Sequence, residues 1–199
     1  MPSETDLAND ALGQIGQAAV TAMDDTTVLG SYCLRFYPTL RDAALTMAHW
    51  SFAKARAVLA AETTPPPFQY GFRYKLPDDC LKLIEYNGSL VDPSMVTLFN
   101  IAIPFVYKVE GRSILTNDGV VAILYLKRET NPDVWTPQFY QGLAAQLAGK
   151  LAYAVLKDEK KGDQLWNQGY NLLARAAASD GQQSSVEPLS TDNLLWGRS

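Results

Sequence analysis

The residues in this sequence that could do chemistry are few and widely separated. Two pairs of adjacent aspartates occur, Asp24–Asp25 and Asp78–Asp79, together with one histidine, His49, and two cysteines, Cys33 and Cys80. Neighbouring carboxylates do not face the same point, so each acidic pair is better suited to capping a helix or closing a turn than to holding a metal ion. A shared metal site would require the fold to bring both pairs together.

Nucleophilic catalysis also lacks its usual components. A hydrolase triad needs a histidine that meets a nucleophile and an orienting acid, but His49 lies beside Trp50 in a predicted helix and is expected to be a packed or partly exposed helix residue. Neither cysteine has a metal-binding spacing or a known nucleophile motif, so both are predicted to be small buried groups. There is no Gly-x-Ser-x-Gly turn and no glycine-rich phosphate loop. We therefore predict no enzyme activity, no catalytic residue, no cofactor and no metal.

Composition sets broader limits. The chain has 199 residues, of which 47% are hydrophobic and 19% charged, which suits one globular domain with a possible extension. Its formal net charge of −4 argues against a protein that binds in a DNA groove, although DNA could still pass through it without binding. The apolar runs Val96–Tyr107 and Val120–Leu126 are too short to cross a bilayer, so no membrane association is expected.

The longest predicted element is a helix over Thr26–Glu62, around which the other elements are expected to pack. Pro38 interrupts it and should kink or restart it, because proline lacks an amide hydrogen and its ring crowds the preceding turn. The apolar residues of this stretch recur three and four positions apart, at Leu29, Cys33, Phe36, Leu40, Ala43, Met47 and Trp50.

Shorter helices are predicted before and after this element. Residues 5–16 form the first, and Thr136–Pro137 supplies a hydroxyl cap and a first-turn proline for another that runs to about Leu156. A last helix is expected over Leu165–Ala178, with Trp166, Tyr170, Leu173 and Ala177 on one side.

The middle of the chain is predicted to be a small β-region. Residues 68–76 alternate between an aromatic or apolar face and a polar face, which indicates a half-buried strand. The aromatic row could also stack on nucleic acid bases, but aromatic strand faces are more often core. Further strands are predicted at Leu81–Tyr86, Phe105–Glu110, Ser113–Thr116 and Val120–Lys127, the last three as an antiparallel meander.

The sequence therefore predicts a mainly α fold with a small antiparallel β-insertion, that is, a helical bundle plus an extended C-terminal arm. Residues 1–67 and 128–179 would form the bundle, 68–127 the insertion of the same domain, and 180–199 a flexible docking arm. The arm is polar but ends in the apolar residues Leu194, Leu195 and Trp196. These residues could fold back onto their own domain or dock into another protein, and the second alternative suits coupled ordering and binding.

Several stretches, taken together, resemble the head-to-tail adaptor proteins of tailed bacteriophages, of the tail tubular protein A type. The resemblance spans residues 5 to about 178, and the HWSFA segment followed by a proline-rich break and LPDDCL is its most specific part. The matching stretches are ALGQIG at 11–16, Asp24–Asp25, YPTLRDAAL at 37–45, HWSFAKARAVLA at 49–60, YKLPDDCLKL at 74–83, YKVEGRSILTN at 107–117 and WTPQFYQGLAAQLAGKLAYAVL at 135–156.

This resemblance implies a structural virion protein at the head–tail junction, assembled in the host cytoplasm. It implies a homo-oligomeric ring, usually twelvefold, which lies beneath the portal protein, conducts DNA without specific binding and offers a platform for tail components such as a nozzle, tube or spike. Carried onto this chain, it makes Leu194, Leu195 and Trp196 the portal-docking anchor, while Trp50 and Phe52 are expected to be core.

Two other functions remain open at this stage. One is a monomeric helical interaction or scaffolding module whose C-terminal tail binds a cellular partner. The other is a phage stopper or tail terminator, which would bind a different neighbour.

Overall fold

The computed structural model describes residues 2–23, 26–90 and 107–183. Its helices begin at residues suited to capping: Ser3 precedes α1 in a capping box with Asp6, Thr27 precedes α2, and Thr136 precedes α3 with Pro137 in the first turn. The helices are α1 (Glu4–Gln14), α2 (Val28–Thr46), α3 (Pro137–Leu151), which continues into a π-helical turn (Ala152–Leu156), and α4 (Glu159–Gln183).

The described strands form two antiparallel sheets. The first sheet has the order β1-β7-β3-β4 and the second has the order β2-β6-β5. The strands are β1 (Lys54–Leu59), β2 (Phe72–Lys75), β3 (Cys80–Tyr86), β4 (Ser89–Leu90), β5 (Tyr107–Glu110), β6 (Ser113–Thr116) and β7 (Val121–Lys127).

The four-stranded sheet lies between the helices and the three-stranded sheet. Strand β7 shows this directly, because alternate side chains of a strand point to opposite faces. Leu124 and Leu126 join the helical core, whereas Val121, Ile123 and Tyr125 pack in a second core together with residues of the other sheet. The molecule therefore has three layers and two apolar cores that share one sheet.

The predicted fold class is wrong. About 49% of the described residues are helical and about 21% lie in strands, so the chain has an α+β fold and not a mainly α fold with a small β-insertion. The reason is physical as well as numerical. The four-stranded sheet buries apolar side chains on both faces, so it is the middle layer of the molecule.

The predicted long helix over Thr26–Glu62 is also wrong in its second half. Helix α2 runs without interruption through Pro38 but ends at Thr46, and Lys54–Leu59 is strand β1. Alanine, lysine and arginine favour helices locally, yet all six residues of β1 pair with β7, so tertiary pairing overrides the local preference. This strand lies within the residues predicted to belong to the helical bundle.

The other strand predictions were confirmed in part. Strand β3 agrees closely with the predicted Leu81–Tyr86, but the predicted 68–76 strand is reduced to Phe72–Lys75, and Phe68 is 77% exposed. Strands β5 and β6 form a hairpin as predicted. The meander is wrong beyond that hairpin, because β7 pairs with β1 and β3 in the other sheet.

Helices α3 and α4 form an antiparallel pair whose backbones approach closely at two places. Gly142 meets Gly169, and Gly149 meets Gly162. A Cβ atom added at Gly169 would lie 2.7 Å from the carbonyl oxygen of Gly142 and 2.8 Å from the backbone nitrogen of Gln146, distances that real Cβ atoms do not show. Glycine is therefore required there by close packing, since both obstructing atoms belong to the backbone of α3.

We predict that Gly169→Ala lowers the free energy of unfolding by about 1–3 kcal/mol, because the helices must separate to admit the methyl group. Urea unfolding followed by circular dichroism measures this effect. Gly13→Ala is the matched control, because Gly13 is also helical but has nothing within 4 Å of its added Cβ. The control should be neutral or slightly stabilising, since alanine favours helices by up to about 1 kcal/mol over glycine. Equal stability of the two variants would contradict the packing role.

Candidate interaction site at the end of the C-terminal helix

The predicted anchor residues Leu194, Leu195 and Trp196 lie outside the described residues, as do Asp24 and Asp25. The described residues end in helix α4, which fixes the position from which the arm begins. Helix α4 is longer than the predicted Leu165–Ala178 and reaches Gln183. The first four residues assigned to a flexible arm, 180–183, are therefore helical.

The end of α4 is fastened to the body by Asp180, which is only 5% exposed. Its carboxylate accepts a hydrogen bond of 2.7 Å from the backbone N–H of Ser51 and one of 2.5 Å from the Ser51 hydroxyl. Hydrogen bonds to a charged acceptor are stronger than neutral ones, particularly when they are shielded from water. This pair therefore fixes the last turns of α4 against the segment that follows α2.

Ser51 is itself positioned by a cluster of aromatic rings. Trp50 is fully buried, and its indole N–H donates a 2.9 Å hydrogen bond to the carbonyl oxygen of Ala44 in α2. The Trp50 ring packs edge-on against Phe139 of α3, with 4.9 Å between the ring centroids. The Phe52 ring also packs against Phe139, with 5.2 Å between their centroids. The prediction that Trp50 and Phe52 are core residues is confirmed, with Phe52 only partly buried.

The buried face of α4 agrees in part with the predicted one. Leu173 is fully buried, and Trp166 and Ala177 are partly buried against the helical core, but Tyr170 is 53% exposed. The contact with the preceding helix also includes Gly162 and Gly169. A pattern of apolar side chains could not identify these two residues, because glycine has no side chain.

Among the candidate chemical groups that the structure describes, no metal-binding cluster is formed. Burial raises the pKa of the Cys33 thiol to about 11, so that thiol is protonated at neutral pH and is a poor nucleophile. The Asp78 carboxylate forms an exposed 2.9 Å ion pair with Lys75, and Asp79 accepts a hydrogen bond from the Tyr125 hydroxyl. His49 is exposed and lies beyond the end of α2.

Within residues 2–23, 26–90 and 107–183, no three His, Cys, Asp or Glu side chains are grouped so that they could hold a metal ion. No described helix is long and apolar enough to cross a membrane.

A recess of about 650 Å³ between α1 and the start of α3 carries acidic residues, including Asp6 and Asp10. Both carboxylates already support the fold. Asp6 accepts from Ser3 in the capping box of α1, which lowers the pKa of its carboxyl. Asp10 accepts a 2.8 Å hydrogen bond from the hydroxyl of Tyr140 on α3. The recess is therefore a consequence of how α1 is attached to α3.

Sequence reasoning missed the bond between Ser51 and Asp180, because the two residues are 129 positions apart and no local pattern links them. One signal was available for the helix that carries Asp180. Gly142 and Gly149 of α3 are seven residues apart, and so are Gly162 and Gly169 of α4, which places each pair on one side of its helix.

No protein-family model and no curated protein matches this chain. The resemblance to phage adaptors therefore stays a prediction.

We predict that Asp180→Asn loosens the end of α4, because an amide cannot accept both hydrogen bonds of Ser51 in the same way, and costs about 1–3 kcal/mol. Hydrogen exchange should become faster in residues 176–183 and stay unchanged in α1. Ser179→Ala, at an exposed position on the same turn, is the control and should leave exchange unaltered. Unchanged exchange in both variants would show that Asp180 does not fasten the helix.

Proposed function

We propose that this protein is a structural, non-enzymatic head-to-tail adaptor of a tailed bacteriophage. In this proposal several copies, twelve by the family resemblance, form a ring between the portal protein and the tail components at the head–tail junction. DNA passes through the lumen of the ring, and the C-terminal arm docks into the portal through Leu194, Leu195 and Trp196.

The observation that carries the proposal is the contrast between the end of α4 and the chain that follows it. The helix is fastened by Asp180 to Ser51 and by glycine contacts to α3. The following sixteen residues, 184–199, are mostly polar but include the apolar group Leu194, Leu195 and Trp196. A fixed helix end that is followed by a polar segment with an apolar end suits a segment that becomes ordered when it binds a partner.

The charge of the chain agrees with a role as a DNA conduit. A net charge of −4 does not favour tight binding of the DNA backbone, so the DNA would not be retained during passage. Measurable binding of duplex DNA at physiological salt would count against this part of the proposal.

The proposal is tested by co-elution with the portal protein of the same phage. We predict that Trp196→Ala weakens association about thirtyfold or more, because a central aromatic anchor contributes at least ~2 kcal/mol to many interfaces. Size-exclusion chromatography at several portal concentrations measures the change in apparent affinity.

Arg198→Ala is the matched control, since it changes a charged residue two positions away in the same arm. It should reduce binding only slightly, as exposed charges contribute less than about 1 kcal/mol. Equal binding by the Trp196→Ala variant and the unchanged protein would refute the anchor assignment. If the protein does not bind the portal at all, the result would favour the alternative hypothesis of a monomeric interaction module.

A further inference from the structure

The face of the four-stranded sheet that packs against the helices is only partly covered by them. Leu124 and Leu126 of β7 lie in the helical core, but Ala122, nearer the start of that strand, is not part of it. There Val58 of β1 is opposite Ala122 of β7 in the pairing register, and Val58 is 73% exposed. Val120, immediately before β7, is 67% exposed. We call these three residues the open patch.

The open patch borders a recess of about 270 Å³, which is lined by Arg56, Glu85 and Leu124 in addition to Val58 and Ala122. Its volume lies below the usual range for small-molecule pockets and suits one or two apolar side chains. Among the described strands, β1 is also at the edge of its sheet, and β7 pairs with it along its whole length. Exposed apolar edges of this kind are usually covered, because they otherwise promote aggregation.

The end of α4 lies on the same side of the sheet as the open patch and close to the start of β1. Asp180 contacts Ser51, and β1 begins three residues later at Lys54. The distance along the chain from Ser51 to Val58 is at most roughly 25 Å. Leu194 is eleven residues beyond Gln183, so an extended arm could span about 36 Å. The apolar end of the arm can therefore reach the open patch of its own chain.

The charges of the two segments are opposite in sign on balance. The arm carries Glu187 and Asp192 before its apolar end and Arg198 after it. Beside the open patch, Lys54 and Arg56 outnumber the one acid, Glu85, which lies 3.9 Å from Arg56. Attraction of opposite charges would favour this docking orientation even though each exposed pair contributes little energy.

We propose that, in the free protein, residues 184–199 dock onto the open patch of the same chain, so that Leu194, Leu195 and Trp196 cover Val58 and Ala122. The docked arm shields the exposed apolar face beside β1 and keeps its own apolar end out of water. A consequence, which rests on the proposed function, is that the portal must displace the arm from this patch before it can bind it.

Hydrogen exchange of the full-length free protein tests this proposal. In the unchanged protein, amides of residues 191–197 should exchange at least tenfold more slowly than an unstructured peptide of the same sequence. Val58→Asp should remove that protection, because it places a buried carboxylate against the apolar end of the arm. Val109→Asp is the matched control, since Val109 is an exposed strand valine of the other sheet, and it should preserve protection.

A second variant guards against an indirect effect of Val58→Asp on folding. Arg56→Glu changes only an exposed charge and should reduce arm protection partially, with circular dichroism unchanged. Protection that grows with protein concentration would overturn docking within one chain and indicate the arm of a second copy. Exchange of 191–197 at peptide rates in the unchanged protein would overturn the proposal outright.

Portal binding is measured separately on the same variants. If the portal displaces the docked arm, Val58→Asp should bind the portal more tightly than the unchanged protein does. A protected arm with no portal binding would refute the proposed function and leave the docking proposal standing. Portal binding without arm protection would refute the docking proposal and leave the proposed function standing.

Discussion

The close contact between α3 and α4 is the constraint on which the rest of the described structure depends. Glycine meets glycine at two levels, Gly142 with Gly169 and Gly149 with Gly162, so the relative position of the two helices is closely limited. Because α3 also contributes Phe139 to the aromatic cluster around Trp50, the direction of α4 is fixed relative to that cluster. The carboxylate of Asp180 then reaches Ser51, which fixes the position of the end of α4.

The same arrangement explains why the sheet is central to the molecule. Side chains of β7 enter the helical core on one face and the second core on the other, so displacement of this strand would disturb both. The helices cover only part of the first face. The uncovered part, around Val58, lies toward the far end of β1, seven residues along the chain from Ser51. The proposed docking of the C-terminal arm would cover this part of the face.

Features fixed by local chemistry could be predicted from the sequence. Thr136–Pro137 begins α3 as predicted, and β3 agrees closely with the predicted strand Leu81–Tyr86. Features that depend on residues distant in the sequence could not be predicted in this way. Lys54–Leu59 favours a helix by composition and becomes a strand only because β7 lies beside it. The bond from Asp180 to Ser51 likewise joins segments that no local pattern connects, and the anchor Leu194–Trp196 lies outside the described residues.

The central proposal is that copies of this chain form a ring at the head–tail junction and dock to the portal through the C-terminal arm. The most direct test is the mass of the purified protein, measured by light scattering after size exclusion, alone and with portal. The adaptor proposal predicts a ring-sized complex with the portal that does not form when residues 184–199 are deleted. A protein that remains monomeric in the presence of the portal, with its arm intact, would contradict the proposal.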